Sequence, residues 1–105
     1  MSEQAMSLRG PAVPPSPSLD DDEAAALTQH RCGALDFQVF LHLSPTRVAG
    51  EFTAVNAGAL AGRLGTQAPN VSASLRFLVS INALLKGGRE AGSWTYMCNP
   101  AFARP

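Results

Sequence analysis

Between residues 57 and 82, large apolar positions recur at helical spacing on both sides of a break at Gly65. Leu60 and Leu64 fall four apart before it, and Leu75 and Leu78 fall three apart after it. The pattern predicts two short helices. Ala61 keeps the first helix thin where the second crosses it. Gly65 can take the positive φ that a three- or four-residue turn demands, and Val71 pegs the second helix onto the first. Such a pair is a helix-turn-helix, whose second member is built to lie in the major groove of DNA.

The flanking pattern extends this unit in both directions. Asp20, Asp21, Asp22 and Glu23 open a helix, because acidic groups at a first turn cap free amides and oppose the macrodipole. Ala24 to Leu27 continue it with high helix propensity. Gly33 interrupts, and Ala34 to Leu43 read as a second apolar helix on the stripe Phe37, Phe40 and Leu41, with Val39 and Leu43 widening the face. Pro45 should end it by pushing Ser44 out of the helical region. Gly50 to Phe52 read as a loop entering a short strand, and Thr53 as a cap for the next helix. After residue 81, Asn82 suits a left-handed helix stop. Ala83 to Lys86 then read as a strand, Gly87 to Ser93 as turn chemistry, and Trp94 to Met97 as the returning strand. The predicted fold is mostly α with a small β-hairpin, a winged helix-turn-helix over residues 20–105.

Composition adds a boundary and a charge division. Residues 1–19 carry Pro11, Pro14, Pro15 and Pro17 with almost no large apolar side chain, which predicts a disordered Pro/Ser-rich tail. The 105 residues leave room for one modest core and carry zero net charge. That charge is unevenly placed. Residues 1–50 hold three arginines against six carboxylates, a net −3, and residues 51–105 hold five cations against two carboxylates, a net +3. The helix-turn-helix lies in the basic half, as phosphate neutralisation requires. No apolar run approaches the roughly twenty residues that span a bilayer, and the first ten residues lack the apolar stretch of a secretory signal, so a cytoplasmic protein without membrane contact is expected.

Three segments carry a family resemblance: Gly-Ala-Leu-Ala-Gly-Arg-Leu-Gly (58–65), Val-Ser-Ala-Ser-Leu (71–75) and Arg-Glu-Ala-Gly-Ser-Trp-Thr-Tyr (89–96). With them, residues 50–100 resemble the winged-helix repressors of the ArsR family, small bacterial regulators often responsive to metals. The resemblance implies sequence-specific binding of double-stranded DNA in transcription regulation. The chain departs from the family at Ser74, where histidine is usual, at Ala73, where a basic residue is common, and in ending without the family's C-terminal helix. Those departures keep a second reading alongside the first, a degenerate winged-helix protein-interaction module. The apolar content of residues 23–43 exceeds what so small a core needs, and Ala24 to Leu27 are expected to pair two chains as a homodimer.

The candidate DNA-reading residues are assigned by position. Asn70, Ser72, Ala73 and Arg76 fall opposite the core stripe of the second helix, where Asn suits adenine and Arg suits guanine or phosphate. Thr66 and Gln67 stand at its entrance, where backbone amides favour phosphate. Lys86 and Arg89 on the hairpin are placed for the DNA backbone or minor groove. Trp94 and Tyr96 read as core anchors beneath the hairpin. No nucleophile triad or phosphate-cradling loop is present, so no catalytic residue and no cofactor is assigned and the chain does not read as an enzyme. Cys32 and Cys98 match no disulfide framework or zinc spacing and read as buried free thiols; His30, Cys32 and Cys98 would still lack a fourth ligand. The family's paired-cysteine site aligns with Asn56 and Gly58, which supply no thiolate, so no metal is assigned. Calorimetry should accordingly find no sub-micromolar, stoichiometric uptake of arsenite, cadmium or zinc; such uptake would direct attention to His30, Cys32 and Cys98.

Overall fold

Asp20 begins the first described helix by reciprocal capping. Its carboxylate accepts the Glu23 N–H at 2.8 Å while Glu23 Oε1 accepts the Asp20 N–H at 3.3 Å, which satisfies two donors that a helix start leaves open. The computed structural model describes residues 17–103. Of the tail expected over residues 1–19, residues 1–16 lie outside that range. Ser18 and Leu19 belong to the fold instead: the Ser18 N–H donates to Ser44 Oγ at 2.9 Å, and Leu19 packs on the core.

Helix α1, Asp21–Gln29, is followed by α2, Ala34–Leu43, and a short α3, Pro45–Ala49. Val39, Phe40 and Leu43 are the buried residues of α2, while Phe37 and Leu41 are half-buried. The inward face is therefore rotated from the expected stripe. Ser44 also differs from expectation, holding helical φ −56° and ψ −32° directly before Pro45. Its hydroxyl donates to Leu41 O at 2.7 Å and accepts the Ser18 N–H, and these bonds offset the local preference for extended backbone. Pro45 thus starts a helix at its first position, where no amide is needed, instead of only ending one.

Strand β1, Thr53–Ala54, leads to α4, Ala57–Leu64, and α5, Ala68–Ser80. Thr53 pairs with Tyr96 in the sheet, so it is not the cap expected; Asn56 caps α4, its side chain accepting the Ala59 N–H at 2.9 Å. Gly65 takes φ 71° between the two helices, as its turn requires. Ala61 and Val71 are buried where α4 and α5 cross, with Leu60, Leu75 and Leu78 beside them and Leu64 half-buried at the edge. Asn82 follows α5 at φ 65°, as expected of a left-handed stop.

The hairpin is longer than the sequence pattern predicts. Strand β2 runs Leu84–Glu90 and β3 runs Ser93–Cys98, joined by Ala91 and Gly92, both at positive φ. That pair suits a two-residue hairpin turn, whose twist matches its strands. Gly87 and Gly88, expected in the turn, occupy a bulge within β2: Lys86 opposes Tyr96, but Arg89 opposes Trp94. Strand β1 joins the other side of β3, giving a three-stranded antiparallel sheet in the order β1-β3-β2. The fold is therefore α+β, with more sheet than the hairpin alone.

One core joins all layers. Leu27 of α1, Phe40 of α2, Leu60 of α4, Val71 and Leu78 of α5, and Leu84 and Cys98 of the sheet are buried together. Leu27, expected at a two-fold interface, is interior to the single chain, and so are Val39, Phe40 and Leu43. Fully burying a side chain such as Phe40 stabilises a fold by about 1.5–3 kcal/mol, so these residues are committed to their own domain. Among the described residues no helix is long and apolar enough to cross a membrane.

The bulge makes a stringent demand at one glycine. A Cβ on Gly87 would lie 2.5 Å from Thr95 Oγ1 and 2.8 Å from Phe52 Cδ1, whereas one on Gly88 would meet nothing within 4 Å. Gly87→Ala should cost about 1–3 kcal/mol by overpacking, and Gly88→Ala should leave stability unchanged or raise it by up to about 1 kcal/mol. Urea unfolding followed by circular dichroism checks the pair.

Candidate functional site

Alternation along the hairpin determines which side chains meet α5. Leu84, Lys86, Trp94, Tyr96 and Cys98 share one face, since cross-strand partners lie on the same side of a sheet. Leu84, Tyr96 and Cys98 reach the core, but the hairpin runs on past it. Without the bulge, residue 89 would point to the other face; the extra residue turns Arg89 onto the face of Lys86. Trp94, expected as a core anchor, lies where that face outruns the core and is 42% exposed. Tyr96, one alternation inward, is the anchor that was expected.

The indole is flanked by cations. Lys86 Nζ lies 4.2 Å from the ring centroid and Arg89 Cζ lies 5.3 Å from it, both within cation–π range. Arg89 also donates from Nη2 to Gly92 O at 3.0 Å, which holds it at the hairpin tip. Between the hairpin and α5 is an open cleft of about 360 Å³, lined by Asn56, Ser72, Arg76, Lys86, Trp94 and Tyr96 among others. None of the described lining residues is acidic, and the ion pair between Arg47 and Glu23 lies elsewhere. Burial raises the Tyr96 phenol above its ordinary range, a rise that the nearby Arg76 charge partly opposes. The cleft therefore offers two cations, hydroxyl donors and a partly exposed indole, chemistry suited to a phosphate beside a planar ring.

Of the sequence-predicted residues, Ser72, Arg76 and Lys86 converge on this cleft, and Arg89 joins them through Trp94. The others sit apart. Asn70 and Ala73 are exposed along α5. Asn70 Nδ2 donates to Thr66 Oγ1 at 2.9 Å, tying those two side chains together at the helix entrance beside the exposed Gln67. The backbone amides expected there are largely used. Pro69 has none, and those of Asn70 and Val71 bond to Gln67 O. Ser74, at the position where the resemblance leads one to expect histidine, is 6% exposed and faces inward.

Sequence reasoning missed Trp94 and Asn56 as cleft residues. The signal was the Gly87-Gly88 pair within a strand pattern, because glycine there marks a bulge and a bulge re-aims the side chains beyond it. A second cleft of about 210 Å³, between α2, β1 and α4, brings His42 and Arg63 together. Burial lowers the His42 pKa, and the Arg63 charge lowers it further.

His30, Cys32 and Cys98 occupy different environments. The His30 ring packs near Phe102, centroids 6.0 Å apart, while Cys98 is in the core with Sγ 3.8 Å from Phe40 O. Among the described residues no three His, Cys, Asp or Glu side chains are grouped so as to hold a metal ion. Searches against family models, curated proteins and solved structures find no match to the chain.

Both cysteines are free, but Cys32 is only half-buried, not the interior thiol expected. Burial pushes the Cys98 thiol up to about 12; it raises Cys32 as well, with Asp36 adding to the rise. Since the thiolate is the reactive form, a disulfide reagent at mildly alkaline pH should modify Cys32 in the native protein. Cys98 should react only after unfolding, which a stoichiometric thiol assay with and without denaturant measures.

Proposed function

We propose that this domain is a winged helix-turn-helix that binds double-stranded DNA and regulates transcription, on the plan of the ArsR-family repressors it resembles. The observation that carries the reading is the convergence of Arg76 from α5 and Lys86 from the hairpin on one cleft with no carboxylate among its described lining residues. Two elements that flank a duplex in such a fold thus present cations toward the same space, as phosphate contact requires. The element order supports the same reading: helices, a short strand, two helices about a left-handed Gly65, then a hairpin whose second strand lies central in the sheet. In this proposal α5 is the recognition helix, Asn70 and Arg76 reach base edges, and Lys86 and Arg89 hold the backbone. Ser72 and Thr66 complete the contact by hydrogen bonding. Pairing as a homodimer belongs to the same proposal and would use the apolar surface of α1 and α2 that remains outside the core, such as Ala25 and Leu41.

A specific observation favours the second reading, a protein-interaction module. Ala73 stands exposed at the middle of the α5 outer stripe, where a longer side chain would be needed to read a base. The two readings separate by mutation. Arg76 is exposed, so replacing it leaves the core intact. Arg76→Ala should cost about 1–3 kcal/mol on a preferred duplex if it pairs with guanine. Lys86→Ala should weaken all duplexes alike and lower the salt slope by roughly one. Fluorescence anisotropy against selected and scrambled duplexes at two salt concentrations measures both. Failure of the parent protein to bind any duplex at low salt, or unchanged binding by both variants, overturns the DNA reading in favour of the interaction module.

A further inference from the structure

We infer that the cleft between α5 and the hairpin holds one unpaired nucleotide at a duplex end, its base stacked on Trp94 and its phosphate on Arg76 and Lys86. This rests on the nucleic-acid reading above and names the form of nucleic acid that the site prefers. Three observations lead to it. A large aromatic ring is exposed on the same face as the core, beside a cleft rather than on a flat surface. Two cations lie against that ring and a third lines the cleft, with no acidic side chain among the described lining residues. The bulge at Gly87 and Gly88 is what brings Arg89 to this face, so the grouping is set by the register of the strands.

The chemistry selects an unpaired base. Inside a duplex both faces of each base are covered by neighbours, and a protein meets only base edges and phosphates. An indole gains by stacking only on a base with a free face, and alternating cations and aromatics are how single strands are held. Exposed cation–π contacts are weak, so a phosphate can draw Lys86 from the ring and leave the indole to the base. The cleft, about 360 Å³, falls in the range of sites for single small molecules. It suits one nucleotide and not a helix.

Trp94 is the only tryptophan in the chain, so its emission reports on this cleft. The full chain is titrated at low salt with a blunt hairpin duplex, the same hairpin bearing a short thymidine overhang, and oligothymidylate alone. Stacking predicts quenching by the overhang and about tenfold tighter binding than to the blunt hairpin. Trp94→Ala, followed by anisotropy of labelled DNA, should abolish that preference and leave blunt-duplex binding within about twofold; Trp94→Phe should retain most of it. Circular dichroism melting verifies folding of both variants. Blunt-duplex binding with neither quenching nor overhang preference overturns this inference and leaves the duplex reading standing. So does an overhang preference that survives in Trp94→Ala. Quenching by oligothymidylate without any blunt-duplex binding supports the stacking site and overturns the duplex reading, and no binding of any probe overturns both.

Discussion

The strict two-residue alternation of a β-strand is the constraint on which the cleft face of the hairpin depends, together with the one place where β2 breaks it. Between Lys86 and Arg89 the strand uses one residue more than its partner. The space for that extra residue exists because Gly87 has no side chain: Thr95 Oγ1 and the Phe52 ring occupy the volume a Cβ would need. Thr95 in turn donates its hydroxyl to Gly88 O at 2.8 Å, which satisfies a carbonyl freed by the bulge. Phe52 leads directly into β1, so the same contact that fits the bulge also places the third strand. Local irregularity, sheet assembly and the orientation of Arg89 are one packing problem.

At the other end of the molecule a buried ion pair fixes the first helix. Glu23 is 2% exposed, caps its own helix and pairs with Arg47 of α3. Removing one partner of a buried pair typically costs about 3–5 kcal/mol, because the other charge is left without compensation. The hydrogen bond to Glu23 is also the largest cause of the raised pKa of Arg47. Close by, Thr46 Oγ1 donates to Leu43 O and accepts the Cys98 N–H, joining the α2–α3 corner to β3 across 52 residues of sequence. The helices before β1 are thus tied to the sheet by polar contacts, while α4 and α5 are joined to it chiefly through apolar packing.

This division bears on the proposed function. The elements that would meet nucleic acid, α5 and the hairpin, use few buried polar contacts, and among the described residues no carboxylate pairs with their cations. Arg76 and Lys86 both line the cleft, in a chain with no net charge overall. The readable face of α5 is narrow, since Ala73 has no reach and Asn70 already gives one Nδ2–H to Thr66. Duplex affinity in the proposed mode comes mostly from phosphate, with little left for base edges.

The helices were legible in the sequence because their signals are local. Asp20 with Glu23 is a capping pattern within one turn, Ala34 to Leu43 is a continuous apolar run bounded by glycine and proline, and Gly65 and Asn82 mark positions of positive φ. Arg76 was legible as an outward-facing cation for the same reason, since helical period alone assigns it a face. The position of Trp94 was not. An apolar residue alternating inward reads as core, and only the tertiary structure reveals that the hairpin extends beyond the layer that would cover it. Thr53 joined a strand rather than a cap because its partner Tyr96 lies 43 positions away. Ser44 stayed helical before proline because Ser18 supplies a hydrogen bond from outside its own segment. Local rules fix which residues turn, cap and face inward along each element. Where an element ends relative to its neighbours is decided by contacts distant in sequence, and that is what leaves the Trp94 ring partly exposed, with Lys86 and Arg89 against it.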